Sequence, residues 1–264
     1  MSSAAVQGEL WGKRPRDYAA YLEQVTLPLQ GAALDAAHVM AGTHLLDAGC
    51  GAGLLAVLAS LRGAHVTGID ASPGLIGIPR ERLPAADLRE GELESLPFPE
   101  GSFDAVTAVN SIFYTADMAK AMRELARVVR PGGRVVVTAW GPPERCEFLS
   151  AVLAGVGQLM PPPPPDAAPG HPGALSKPGE LAALLQGAGL RVLDEGEVSC
   201  PFVFPNAETS WRANASAGPN QMAIAHSGEA AVRAVYTEAD RNHTRPDGTI
   251  RYENVFLWAA GERV

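Results

Sequence analysis

The chain has 264 residues, 47% of them hydrophobic, and a formal net charge of −8. That is enough for a substantial core and too apolar for a disordered chain. The acidic balance excludes a protein built around a broad basic face, and no nucleic-acid partner is expected. The nearest basic run, Lys13-Arg14-Pro15-Arg16, is too short to change this.

The three cysteines, Cys50, Cys146 and Cys200, are widely spaced and form neither a disulfide framework nor a zinc pattern. A reducing, cytoplasmic setting and no metal are expected. The first ten residues lack the positive region and apolar run of a signal peptide. The apolar run from Leu45 to Leu61 is broken by Asp47 and three glycines, so no membrane span is expected.

In chain order, residues 17–40 carry apolar residues at helical spacing, with a break near Pro28 or Gly31. His44 to Gly49 reads as a buried strand, Gly53 to Arg62 as a helix stopped by Gly63, and His65 to Asp70 as a second strand. Ser72-Pro73 has the form of an N-cap followed by proline at the first helical position. Residues 87–90 and 103–110 are expected as strands three and four. Between 116 and 130 an amphipathic helix carries Met118, Met122, Leu125 and Val129 on one face and ends at Pro131-Gly132-Gly133. Arg134 to Trp140 is the fifth strand. Strands alternating with helices of this length imply a parallel sheet covered on both faces.

The second half is more irregular. Residues 145–160 and 179–188 are expected as helices, with Pro161 to Pro165 as a stiff connection between them. Residues 190–204 read as one strand region, 206–245 as irregular helix, and Tyr252 to Ala260 as the last strand.

The segment Asp47-Ala-Gly-Cys-Gly-Ala-Gly53 joins a strand to a helix. Its glycines permit a tight turn and a close backbone approach to a ligand, and peptide N–H groups at the helix start can face an anionic group. Leu54 stands where a dinucleotide loop needs its third small residue, which weakens a nicotinamide reading. Asp70, at the end of the next strand, is placed to accept hydrogen bonds from two ribose hydroxyls.

These features resemble motif I and the segments that follow it in class I S-adenosylmethionine-dependent methyltransferases, and within them the type-11 small-molecule group. Gly91-Glu-Leu-Glu-Ser-Leu-Pro-Phe98 is similar to the family's adenine segment, with Glu92 where Asp is more usual and Leu93 after it. Phe103 to Asn110 resembles strand four, and Leu125 to Gly133 the turn before strand five. The likeness covers about residues 40–140 well and the remainder loosely.

The resemblance implies an α/β Rossmann-like sheet of seven strands, order 3-2-1-4-5-7-6, with strand seven antiparallel and helices on both faces. It implies one methyltransferase domain, with an N-terminal helical cap over 1–43, a cofactor-binding core over 44–200, a substrate-side insertion over 201–250 and the last strand over 251–264. The implied cofactor is S-adenosyl-L-methionine, leaving as S-adenosyl-L-homocysteine. Its expected contacts are Asp47, Gly49, Cys50, Gly51, Gly53, Asp70, Ala71, Glu92, Leu93 and Asn110. Arg14 and Tyr18 of the cap are expected beside them, with Arg14 near the methionine carboxylate and Trp11 and Tyr21 as further lining. The expected partner is a small-molecule acceptor; a homodimer stays open.

Methyl transfer needs alignment more than acid–base chemistry, because the sulfonium already activates the leaving group. No single residue stands out as a base. Tyr114, His226 and His243 are candidates, with His171 a fourth, and Phe202, Phe204, Trp211 and Met222 suggest an apolar lid. Val109-Asn-Ser-Ile-Phe113 replaces the Asn/Asp-Pro-Pro-aromatic signature of base methylation. A non-catalytic binder of the same cofactor and an NAD(P)-dependent oxidoreductase are the alternatives.

Overall fold

The computed structural model describes residues 3–162 and 173–264. The chain opens with α1 (Ser3–Trp11), α2 (Pro15–Asp17), a π turn (Tyr18–Leu22), a 3-10 turn (Glu23–Thr26) and α3 (Leu27–Ala36). The core alternates β1 (His44–Ala48), α4 (Leu54–Leu61), β2 (His65–Asp70), α5 (Pro73–Arg82), β3 (Asp87–Glu90), β4 (Phe103–Ala108), α6 (Met118–Val128) and β5 (Val129–Trp140). Then come α7 (Glu147–Gln158), α8 (Glu180–Gly187), β6 (Leu190–Ser199), β7 (Phe202–Phe204), α9 (Ala207–Ala215), α10 (Gly218–Ser227), α11 (Glu229–His243), β8 (Ile250–Tyr252) and β9 (Val255–Arg263).

Seven strands make one sheet, in the order β3-β2-β1-β4-β5-β9-β6. Strands β1 to β5 are parallel, and β9 runs antiparallel between β5 and β6. This is the expected order, with β9 as the family's seventh strand. The reason lies in the apolar strand runs: Leu45, Leu46 and Ala48 of β1 and Val135, Val136 and Val137 of β5 are fully buried, as strands covered on both faces must be.

Ser72 caps α5 as its sequence predicts, its Oγ accepting the Leu75 N–H at 3.3 Å. Among the described residues, no helix is long and apolar enough to cross a membrane.

Three boundaries differ from expectation. The region 190–204 is two strands, because Pro201 has no N–H to continue the ladder; β7 pairs instead with β8 in a separate two-stranded sheet. The last strand region divides likewise, between Tyr252 and Val255. Helix α6 stops at Val128, and β5 runs through Pro131-Gly132-Gly133 with a register shift against β4. The proline run at 161–165 and His171 lie wholly or partly outside the described residues.

Parallel strands place their carboxyl ends together, where an open α/β sheet leaves a crevice at its topological switch point. Here that crevice lies above β1, β2 and β4. The N-terminal segment covers it, and α7 with α9 to α11 walls its far side.

Candidate functional site

The turn after β1 spends its own peptide groups. Gly49 and Cys50 N–H both donate to Ile69 O, at 2.8 and 3.0 Å. Gly51 N–H donates to Asp70 Oδ2 at 2.8 Å, and Leu54 N–H, in the first turn of α4, donates to Glu23 Oε1 at 2.8 Å. The anion at this helix start is therefore the protein's own carboxylate. At Leu54 the expectation that the helix-start N–H faces an anionic ligand is corrected, because Glu23 already takes it.

The backbone geometry demands glycine. Gly49, Gly51 and Gly53 have φ of +80°, +55° and +86°. A Cβ on Gly49 would lie 2.3 Å from the Ser111 Cβ, and one on Gly51 would lie 3.2 Å from the Tyr18 hydroxyl. The turn is thus a cradle that any side chain would fill.

Glu23 is 3% exposed and was missed by sequence reasoning. Arg82 donates to its Oε2 at 2.8 Å and to Ala52 O at 2.6 Å, tying the N-terminal segment, the glycine turn and α5 together. Burial raises the Glu23 carboxyl and Arg82 counters it. Removing only the cation strands a buried charge. Arg82→Met is expected to cost about 3 kcal/mol in urea denaturation at pH 8, and less at pH 5 where Glu23 can take a proton. The double variant Glu23→Gln/Arg82→Met is expected to recover most of the loss. Equal costs at both pH values would show that the charge is not what matters.

Two acids stand behind and beside the turn. Asp70 Oδ1 accepts the Ser72 N–H at 2.8 Å; with Oδ2 on Gly51, each oxygen keeps a further lone pair. Burial raises its carboxyl, and those two backbone bonds hold it back. Asp47 is 2% exposed. Thr107 donates to its Oδ1 at 3.4 Å, while Oδ2 is buried with no hydrogen-bond partner. Burial, with Asp70 and Glu23 adding repulsion, pushes Asp47 up to about 8.

A cavity of about 340 Å³ opens over this turn. Of the sequence-predicted residues, Tyr18, Gly49, Gly51, Asp70, Ala71 and Asn110 line it. Glu92, Leu93 and Tyr114 do so too. Asn110 sits at φ +51°, a conformation Asn tolerates, with its N–H on Thr138 Oγ1 at 3.0 Å.

The rest fall elsewhere. Asp47 lies behind the turn, outside the lining itself, Gly53 faces Pro79, and Cys50 is buried against Ile76 and Leu88. Arg14 is a correction: its guanidinium pairs with Glu229 at 2.8 Å, outside the lining. Tyr21 lies under the Arg212 guanidinium. His226 is exposed at the end of α10, and His243 stacks on Tyr252 with Nδ1 against Ala239 O at 2.8 Å, so neither candidate base reaches the cavity.

Helix α1 lies over the opening. A Cβ on Gly8 would come 2.1 Å from Ala71 O, so the helix rests directly on the turn after β2. Trp11 packs edge-on against Tyr18 and Tyr114, at 5.6 and 5.4 Å between centroids, and meets Gly218 of α10. Gly8 and Gly12, one helical turn apart, were the available sequence signal for this contact.

Beyond the aromatic clasp the lining turns apolar: Trp140, Phe148, Val152, Val156 and Phe202. Among the described residues, no Lys, Arg or His lines the cavity.

A family model described as a methyltransferase domain matches residues 46–137. A ubiquinone biosynthesis O-methyltransferase of Xanthomonas oryzae pv. oryzae is 34% identical over 179 residues, 66% of this chain and 71% of that one. The chain belongs to the class I S-adenosylmethionine-dependent methyltransferases.

An uncharacterized protein of Mycobacterium tuberculosis is 35% identical over 130 residues, 48% of this chain and 47% of its own length, so the match spans about half of that relative. The crystal structure of the [4+2]-cyclase SpnF superposes with a TM-score of 0.57 at 22% identity, covering 89% of this chain and 81% of that one. That neighbour is a cyclase, so this fold alone does not fix the reaction.

The family's cofactor is S-adenosylmethionine, and the residues present fit it. The glycine cradle leaves backbone-sized room, Asp70 keeps acceptor capacity for two hydroxyls, and the orphaned Asp47 Oδ2 is a buried acceptor suited to an ammonium group.

Proposed function

We propose that this methyltransferase acts on a small, largely apolar molecule. One observation carries the reading: a single cavity joins the glycine turn and Asp70 to a chamber walled by Trp140, Phe148 and Phe202. Among the described residues, the lining has no cation to hold a nucleic-acid phosphate, in keeping with the acidic chain.

In this reading the segment over 1–43 covers the cofactor side, and the insertion over 201–250 helps to enclose the acceptor. Asp70 accepts the ribose hydroxyls, Asp47 the methionine ammonium, and Asn110 donates its amide to the methionine part. Glu92 and Leu93 border the adenine.

The bound cofactor supplies an activated methyl group for in-line displacement. The chain's own contribution is alignment and exclusion of water under α1. Burial raises the phenols of Tyr18 and Tyr114 well above their ordinary range, which keeps them protonated at neutral pH. They are donors and walls rather than bases. The acceptor therefore arrives as a competent nucleophile or loses its proton to water.

Calorimetry tests the cofactor side. Asp70→Ala is expected to weaken S-adenosylmethionine binding by about 10- to 100-fold, from the loss of charge-assisted hydrogen bonds. Unchanged affinity would refute the ribose role. Incubation of the protein with methyl-tritiated cofactor and cell extract tests the acceptor side. Label is expected in the organic-soluble, low-mass fraction; label confined to nucleic acid or protein would overturn the small-molecule reading.

A further inference from the structure

Two polar side chains deep in the apolar chamber have hydrogen-bonding capacity that the protein does not use. Asn220 of α10 is 5% exposed and Tyr236 of α11 is 3% exposed, and both line the cavity. Asn220 Nδ2 donates to Asn214 O at 2.7 Å and to Tyr236 Oη at 2.7 Å. Asn214 O can only accept, so the amide orientation is fixed and both of its protons are spent.

What remains is complementary. Among the described residues, no donor reaches Asn220 Oδ1, and no acceptor takes the Tyr236 hydroxyl proton. Burial raises the Tyr236 phenol, so its proton is present at neutral pH. The pair therefore offers one acceptor and one donor side by side. Beside the apolar rings of Phe148, Trp140 and Phe202, leaving both unmet would be costly.

We propose that Asn220 and Tyr236 anchor a hydroxyl group of a neutral, largely apolar acceptor molecule. A hydroxyl meets both demands through one oxygen: it donates to Asn220 Oδ1 and accepts from Tyr236 Oη. A carbonyl would answer only Tyr236, and an alkyl group neither. Among the described residues, the charged members of the lining are the acids Asp70, Glu92 and Glu94, so a carboxylate would be buried with no cation to meet it. The rings of Trp140 and Phe148 lie nearly parallel, 15° apart, and both line the chamber as apolar surface.

This inference rests on reading the chamber as the acceptor site, and the test separates the two. The protein is saturated with S-adenosylhomocysteine, and binding of 2-naphthol, 2-methylnaphthalene and 2-naphthoate is followed by tryptophan fluorescence quenching. The naphthol is expected to bind about tenfold more tightly than either of the others. In Tyr236→Phe that preference is expected to shrink to about threefold or less, with the affinity for S-adenosylhomocysteine unchanged. Asn220→Ala, which removes the acceptor and leaves the phenol, is the second variant and is expected to show the same loss.

Equal binding of naphthol and 2-methylnaphthalene, a preference that survives both substitutions, or tighter binding of the naphthoate would each overturn the anchor. Naphthol selectivity in a protein that fails to bind S-adenosylhomocysteine would sustain the anchor and sink the functional reading on which it rests.

Discussion

Gly49→Ala is expected to lower S-adenosylmethionine affinity by at least about 100-fold, through overpacking at a position that cannot relax locally. An L-residue held at φ +80° costs roughly 1–2 kcal/mol by itself. The new methyl group would also lie 2.3 Å from Ser111 Cβ and 2.8 Å from Ser111 Oγ. Ser111 cannot simply rotate away without giving up its hydrogen bond, at 2.7 Å, to Ala48 O in the same turn. Relief therefore requires the turn after β1 to part from the segment after β4, and both line the cavity.

Gly132→Ala provides the control. Its φ is +77°, but nothing lies within 4 Å of the added Cβ. Only the conformational cost applies, so stability is expected to fall by about 1 kcal/mol with cofactor affinity unchanged. Calorimetric titration and urea denaturation of both variants decide the matter. Binding of the cofactor by Gly49→Ala within threefold of the parent would show that the close approach to Ser111 is not essential.

The contrast between these two glycines shows what the sequence could and could not reveal. Both belong to recognisable turns, Asp47-Ala-Gly-Cys-Gly-Ala-Gly53 and Pro131-Gly132-Gly133, and local pattern was enough to find them. The same holds for the parallel strands, whose unbroken apolar runs report burial on both faces, and for Ser72, whose capping role involves only its neighbours. Which glycine is crowded depends on Ser111, 62 positions away from Gly49, and no local pattern reports that.

Long-range pairings account for the other departures. The Glu23–Arg82 pair joins residues that look like ordinary helical surface charges until α4 is set beneath them. Arg14 fits a carboxylate-binding role on composition alone, but α11 brings Glu229 to it first. His226 and His243 were candidates because histidine suits proton transfer; the rotation of α10 and α11 turns their side chains away from the cavity and turns Asn220 and Tyr236 toward it. Helices of low or mixed amphipathicity do not announce which face they bury.

The second large effect concerns protons. Asp47 in the free protein is pushed up to about 8, chiefly by burial, against an unfolded value near 3.8. Between those limits the folded chain holds a proton that the unfolded chain has released. Stability of the free protein is therefore expected to fall as pH rises from about 4 to about 8, with the loss complete above the folded value. An ammonium group brought to the unpartnered Oδ2 favours the charged carboxylate and drives that proton off.

Cofactor binding at pH 7 should then release close to one proton, read as a difference in apparent binding enthalpy between phosphate and Tris buffers. Affinity is expected to rise about tenfold per pH unit on the acidic side. It should turn down again above about 8, where the cofactor's own α-amino group, with an ordinary pKa of about 7.7–8.0, loses its proton. In Asp47→Asn the acidic limb should vanish, and the melting temperature of the free protein should depend less on pH between 5 and 9. Buffer-independent enthalpies in the parent protein, or an acidic limb that persists in Asp47→Asn, would place the proton on another group and leave the orphaned oxygen of Asp47 without a role in holding the methionine end of the cofactor.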